Sequence, residues 1–273
     1  MVKAYRACLL IIALLLVISA SITIPVKAQP RTITVPEDYT TISAAIEHAS
    51  NSDVIYVKAG NYSENSLSIN KSISLIGENR DTTIISLDSP SHEETVSIIF
   101  RYIWHDPALT VTCDGFKLSG FTITTTGGNI LVSGNKTKIT TNSIGADISI
   151  NGSSIQLTNN QFTPQISLNG VSVTGQFCNI SSNQIVGALY VGGQYHVIAS
   201  NDVSGSMGIS ANNSLIRGNR FHDSSDRVII SGNYNLISRN SIERYGLGPR
   251  ITGTSNSFFL NNVTQCGMAI SPG

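Results

Sequence analysis

Residues 180–203 read ISSNQIVGALYVGGQYHVIASNDV, and the segments at the two ends, ISSNQI and IASNDV, share one pattern. An apolar residue is followed by two variable positions, Asn, one variable position and a second apolar residue. The same pattern returns as ITTNSI, LTNNQF, IRGNRF, ISRNSI and FFLNNV. Its asparagines are Asn142, Asn160, Asn183, Asn201, Asn219, Asn240 and Asn261, at spacings of 18, 23, 18, 18, 21 and 21 residues. LSGFTI, with Phe121 in the Asn place, is a degenerate copy upstream. Aligned on the Asn, two further columns are expected: an apolar one of Ile150, Leu168, Val191, Ile209, Ile230 and Ile251, and two residues later a small one of Gly152, Gly170, Gly193, Ala211, Gly232 and Gly253. A small residue at a fixed place predicts a turn with positive φ or close backbone approach. DISIN, QISLN, ALYVG and RVIIS alternate with the period of half-buried strands.

A unit this short cannot bury its apolar side alone, so copies must stack. Each strand then pairs in parallel with its equivalent in the next coil, about 4.8 Å away. Coil length varies and strands such as ISIN and ISLN carry paired inward residues, which speaks against the strict hexapeptides of left-handed β-helices. The predicted fold is all-β: a right-handed single-stranded parallel β-helix, or solenoid. The asparagines read as a structural ladder, their side chains bonding turn backbone and one another, with Asn tolerating left-handed turns.

The flanks set the domain plan. Lys3 and Arg6 precede an apolar run from Ala7 to Ala20, and Val26-Lys27-Ala28 is a small-residue exit, so 1–28 reads as a signal peptide cleaved after Ala28. An uncleaved anchor is the alternative and would be the protein's one link to a membrane. Residues 29–273 are one β-helix domain, with an N-terminal strand and capping helix in 29–60 and coils in 61–273. The chain stops at CGMAISPG in mid-repeat without a polar cap, the mark of a natural protein that continues, oligomerises or is truncated there. Ile42, Ala45, Ile46 and Ala49 have helical spacing behind Thr40 or Thr41 as N-cap. Such a short α-helix seals the open end of the core.

Composition excludes several functions. Formal net charge is zero with no basic block, which removes the footprint of a nucleic-acid binder. Cys113, Cys178 and Cys266 have no close spacing, so neither a disulfide framework nor a zinc site is expected, and they read as buried small hydrophobes. Five scattered His and the two Met of the mature chain make no soft-metal cluster, so no metal and no cofactor are assigned. Seven Asn-x-Ser/Thr sequons, beginning at Asn61, Asn70, Asn135, Asn151, Asn179, Asn212 and Asn262, are compatible with a cell-surface location.

The run ITVPEDYTTISAAIEHASNSDVIYVKAGNYSEN followed by INKSISLIGENRDTTII resembles the start of pectin-lyase-like right-handed β-helix proteins, in particular secreted NosD-like proteins with parallel β-helix repeats. The resemblance covers the mature chain and implies the fold. It implies no single activity, because that superfamily holds lyases, galacturonidases, esterases, carbohydrate-binding surface proteins and an accessory protein of copper-site maturation. Gly60-x-Tyr62-x-Glu64 is similar to a stretch near the start of pectin methylesterases, but the downstream QDT and DFIFG motifs of their catalytic aspartates are missing. The NTD and GHG segments of galacturonidases are missing too.

Two regions carry candidate sites. The 21-residue copies each insert three residues at one edge, HDSSDR and ERYGLGPR, and should display His222, Asp223, Asp226, Arg227, Glu243, Arg244, Tyr245 and Arg250 together. One reading is a polysaccharide site, with Asp226 and Glu243 as a carboxylate pair, His222, Arg227 and Arg244 as catalytic partners, Asp223 and Arg250 on sugar, and Tyr245 as stacking platform. The other is cross-coil charge pairing on an exposed ladder. The insert at 88–109, which interrupts the coil rhythm and holds the only Trp, offers Tyr102 and Trp104 for sugar contact; alternatively Ile98, Phe100, Tyr102 and Trp104 alternate as one more strand, with Trp104 as core or lateral cover.

The leading expectation is a secreted or cell-surface, periplasmic in a Gram-negative host, non-catalytic protein binding carbohydrate or envelope components. The alternatives are a lyase or hydrolase of acidic polysaccharide, with calcium only in the lyase case, and a scaffold fragment of a larger surface protein.

Overall fold

The computed structural model describes residues 29–95, 101–164 and 170–267, and of 94, 95 and 101–104 the backbone alone. The leader reading, Leu168, Ile98 and Phe100 therefore fall outside the described residues. The described residues from Arg31 onward belong to one compact unit. Among the described residues no helix is long and apolar enough to cross a membrane.

The chain is a right-handed parallel β-helix of about 10 turns. Each turn passes through an eleven-stranded, then a ten-stranded, then a nine-stranded parallel sheet. Alternation in the short strands selects the inward residues. Ile139, Leu157, Ile180, Ile198, Ile216 and Ile237 stack in register along the eleven-stranded sheet and are buried. Ile144, Phe162, Ile185, Val203, Phe221 and Ile242 do the same in the ten-stranded sheet. These files meet in one continuous core, the burial that no single coil can achieve.

At the corner between those two sheets the asparagine ladder forms as expected. Asn201 Oδ1 accepts from the backbone N–H of Asn183 at 3.0 Å and from its Nδ2 at 3.0 Å, while Asn201 Nδ2 donates to the Ile180 carbonyl at 2.8 Å and to Asn219 Oδ1 at 2.9 Å. The same bonds link Asn142, Asn160, Asn183, Asn219, Asn240 and Asn261. Phe121 opens the file, its N–H donating to Asn142 Oδ1. One detail differs from expectation. The left-handed conformation is taken by the residue before each ladder Asn, Thr141, Asn159, Ser182, Ser200 and Arg239 among them. That residue turns the corner, which leaves the Asn side chain directed inward to bond.

Turn lengths explain the uneven repeat. The chain takes six residues from the nine- to the eleven-stranded sheet, as from Val132 to Lys138, Ile150 to Gln156 and Val191 to Val197. It takes three into the ten-stranded sheet, as from Thr140 to Ser143 and Ser181 to Gln184. From Phe121 onward all variation lies at the third corner: four residues from Ile185 to Leu189, seven from Phe221 to Val228, nine from Phe162 to Val171. In the 23-residue copy the five extra residues thus precede the strand. The columns expected at Leu168 and Gly170 are taken instead by Val173 and Gly175, which pair with Val191 and Gly193. Gly170 has φ +65° but stands outside the file. Within the file the approach is close: a Cβ on Gly193 would lie 1.8 Å from the Gly175 carbonyl oxygen, and one on Gly175 1.9 Å from that of Gly152.

A second buried polar file, which sequence reading missed, runs along the corner between the nine- and eleven-stranded sheets. Asn256 Oδ1 accepts from Asn235 N–H, Asn235 Oδ1 from Ser214 N–H, Ser214 Oγ from His196 N–H, and His196 Nδ1 from Cys178 N–H. Since Nδ1 accepts, the ring proton is on Nε2, which donates to the Gly192 carbonyl at 3.2 Å. Burial pushes this imidazole below the ordinary histidine value, with the Gly192 bond acting the other way. The unfolded chain therefore binds a proton that the folded one resists. The contribution to stability is full above the unfolded value of about 6.5 and is lost as pH falls below it. Thermal unfolding midpoints of the wild type should drop from about pH 7 to about pH 5 more steeply than those of His196→Asn, which takes the residue type of Asn235 and Asn256 in the same file. Parallel pH profiles for the two proteins would remove His196 as the cause.

The N-terminal end closes as predicted. An α-helix, Ile42–His48, buries Ile42, Ala45 and Ile46, and Thr41 is its N-cap, accepting from Ala44 N–H at 3.2 Å. Glu64 from the first coil accepts from Ile42 N–H at 2.6 Å and Ser43 N–H at 3.4 Å, filling orphan donors of the first turn. The Gly60-Tyr62-Glu64 stretch is thus part of the cap: a Cβ on Gly60 would press on the Tyr62 ring at 3.3 Å, and Tyr62 bonds the Lys58 carbonyl. The cysteines are free; Cys178 is buried, whereas Cys113 and Cys266 are half-buried.

The strand expected in the insert is present, but outside the three parallel sheets. Ser91–Thr95 and Arg101–His105 pair antiparallel as a hairpin beside the coils, with His92 opposite Trp104 and Glu94 opposite Tyr102. It is not a further coil strand, because chain reversal leaves these strands no parallel partner. The Tyr102 and Trp104 side chains lie outside the described ones.

Candidate functional site: a charged corner and an uncharged face

Strands Arg220–Ser224 and Ser241–Tyr245 are neighbours in the ten-stranded sheet, with Arg220 level with Ser241 and His222 with Glu243. Asp202 lies level with Arg220 in the coil before. Period-two alternation puts Phe221 and Ile242 in the core and leaves the charges outside. They close into a ring. His222 Nε2 meets Asp202 Oδ1 at 2.8 Å and Nδ1 meets Asp223 Oδ2 at 2.6 Å. Arg244 holds Asp223 through Nε and, at 2.9 Å, a terminal nitrogen, and reaches Glu243 at 3.2 Å. Arg220 joins Glu243 at 3.5 Å to Asp202 at 3.7 Å. Asp223 and Arg244 both occupy left-handed backbone, at φ 59° and 53°, where the chain leaves the sheet.

The ring favours the ionised form of two carboxylates, Asp223 and Glu243. Arg244, then His222, hold Asp223 far below the usual carboxylate range. The Ser241 hydroxyl, 2.6 Å from Oε1, and then Arg220 and Arg244 lower Glu243. A general acid at neutral pH needs the opposite shift. Calcium does not fit either: the carboxylates of Asp202, Asp223 and Glu243 already face His222, Arg220 and Arg244, and a calcium cage needs oxygens converging without cations between them.

The remaining sequence candidates scatter. Asp226 is exposed and its side chain takes no part in the ring, so the structure does not join it to Glu243; Arg227 is half-buried beyond the strand. Tyr245 requires a correction. It is 2% exposed, its hydroxyl donating to the Gly205 carbonyl at 2.6 Å, and burial raises its phenol strongly. The bend at Arg244 turns the following side chain inward, so Tyr245 is core rather than platform. Arg250 is exposed, level with Ile229 in the nine-stranded sheet.

That sheet carries the feature sequence reading missed. Its outer face holds the level row Ser172, Tyr190, Gly208, Ile229 and Arg250 beside Thr174, Gly192, Ser210 and Ser231. Tyr190 is 46% exposed and its ring lies across Gly208, where a Cβ would stand 2.9 Å from the ring. A shallow concavity of about 330 Å³ results, with Tyr190 and Ile229 as apolar walls and hydroxyls around them. The signal was available: Tyr190 falls on the outward beat of ALYVG, with Gly208 18 residues on. The concavity is lined by uncharged residues alone, with Arg250 one strand beyond Ile229 in the same row, and in this it differs from the charged corner.

No protein-family model and no curated protein sequence matches the chain. Solved structures do. One is a mannuronic acid specific polysaccharide family 6 lyase from human gut microbiota, at TM-score 0.53 and 14% identity over 87% of this chain and 66% of that one. Another is a mutant of the family 6 alginate lyase AlyGC, at TM-score 0.51 and 14% identity over 87% of this chain and 39% of that one. The pectin methylesterase of carrot aligns at TM-score 0.39 and 15% identity over 89% of this chain and 86% of that one. The chain spans just under two thirds of the first lyase and about two fifths of the second. At these identities the likeness is one of fold: this chain has the right-handed parallel β-helix architecture found among polysaccharide-acting enzymes.

Proposed function

We propose that the protein is a secreted or surface-exposed β-helix that binds carbohydrate on the outer face of its nine-stranded sheet and does not cleave it. The observation that carries this is the exposed Tyr190 ring laid over Gly208 among serine and threonine hydroxyls, an apolar surface with hydrogen-bonding edges suited to a sugar ring. The charged corner supports the non-catalytic half in one respect: Asp223 and Glu243 are held ionised by arginine, histidine and serine partners, which leaves neither of them as a general acid at neutral pH.

The test joins a glycan array to an activity assay. The purified protein should be retained by at least one glycan, Tyr190→Ala should weaken retention about tenfold, and alginate and polygalacturonate should stay intact with or without calcium. Unsaturated uronide ends that appear with the wild type and vanish in both Asp226→Ala and Glu243→Ala would replace this reading with a lyase. Failure to bind any glycan would leave a scaffold.

A further inference from the structure

The corner between the nine- and eleven-stranded sheets is turned by one residue of left-handed backbone per coil: Lys136, Ser154, Phe177, Tyr195, Asn213, Tyr234 and Ser255. Small or polar residues suit such a place, and aromatic ones are seldom found there. Three coils nevertheless carry aromatic rings, and all three are exposed: Phe177 by 59%, Tyr195 by 45% and Tyr234 by 63%. Phe177 and Tyr195 stack with centroids 5.0 Å apart and planes 6° from parallel. Tyr234 stands two coils beyond Tyr195, so their backbones are about 10 Å apart with Asn213 between them. Amides flank the column as Gln176, Gln194, Asn212 and Asn233. The Asn212 and Asn233 Oδ1 atoms accept from the next coil, and their Nδ2 groups take no part in those bonds.

We infer that this column is a stacking platform for a neutral glycan, its rings meeting the C–H face of pyranoses and its amides bonding their hydroxyls. One observation selects neutral sugar over uronate, and a second selects a ligand-facing role over a purely structural one. The stretch 148–201, which contains Phe177, Tyr195 and Tyr190, has no Asp, Glu, Lys or Arg, and the one cation of the column itself, Lys136, stands two coils before Phe177, about 10 Å along the stack. The aromatic choice also departs from what the turn itself prefers, and stacking on a ligand is a role for which aromatic rings are suited and the Ser or Asn of neighbouring coils is not. The inference rests on the carbohydrate-binding reading above and adds a second contact surface and a ligand class.

Affinity electrophoresis in gels containing laminarin, xylan, galactomannan, alginate or polygalacturonate tests it. The wild type should be retarded by at least one of the three neutral polymers and by neither polyuronate. Tyr195→Asn and Tyr234→Asn should each weaken that retardation about tenfold. Thermal midpoints should not fall, because Asn213 occupies the same column in a neighbouring coil. Retardation lost in Tyr190→Ala but unchanged in both column variants overturns the inference and leaves the proposed function standing. So does retardation by polyuronates alone. A fall in thermal midpoint with binding unchanged makes the rings structural, and retardation by none of the polymers removes both readings.

Discussion

Asn201→Leu is expected to destabilise the protein by roughly 2–6 kcal/mol, since at least two buried backbone groups lose their partners at about 1–3 kcal/mol each. Those groups are the Asn183 N–H, which donates to Asn201 Oδ1, and the Ile180 carbonyl, which accepts from Asn201 Nδ2. Leu has a similar volume, so no cavity confuses the result. Urea unfolding would report the loss, and amide exchange at Asn183 would place it in the right coil. A shift of less than about 1 kcal/mol with the Asn183 amide still protected would mean that the ladder is decoration.

Gly193→Val should be at least as severe, at roughly 4 kcal/mol or more, because neither of its two faults can relax locally. Its backbone sits at φ +123°, and its Cβ would fall 1.8 Å from a main-chain oxygen of the preceding coil. Coils held by strand pairing on three sides cannot part at one corner without breaking those bonds. Ala211, level with Gly193 in the next coil, gives the control, since Ala211→Gly removes one methyl and should cost about 1 kcal/mol. Equal unfolding midpoints for Gly193→Val and wild type would contradict the close stacking described here.

The fold was legible because a solenoid writes its architecture into a period. The ladder asparagines occupy one structural place in every coil from Asn142 to Asn261, and the cap helix shows its spacing openly, with its start narrowed to Thr40 or Thr41. Legibility failed wherever a residue's direction depended on where extra residues had been inserted. The 23-residue copy could be aligned only once the insertion point was known, so Gly170 was taken for Gly175. Tyr245 counted as exposed because its register beyond the corner hinges on the left-handed turn at Arg244, which no residue type announces. The charged corner was readable as a cluster but not as a closed ring, since pairing depends on side-chain reach. The second polar file stayed hidden because Cys178, His196, Ser214 and Asn235 share a position without sharing a residue type.

The strand-pairing bonds between coils run along the stacking axis, and each strand pairs only with its equivalents in the two neighbouring coils. Tension applied along that axis is therefore carried in series, and the weakest junction yields first while the rest remain intact. A load applied across the axis is shared by many junctions at once. A protein so built resists being sheared from a surface far better than being peeled off it end first, and its mechanical limit is set by one coil rather than by its length.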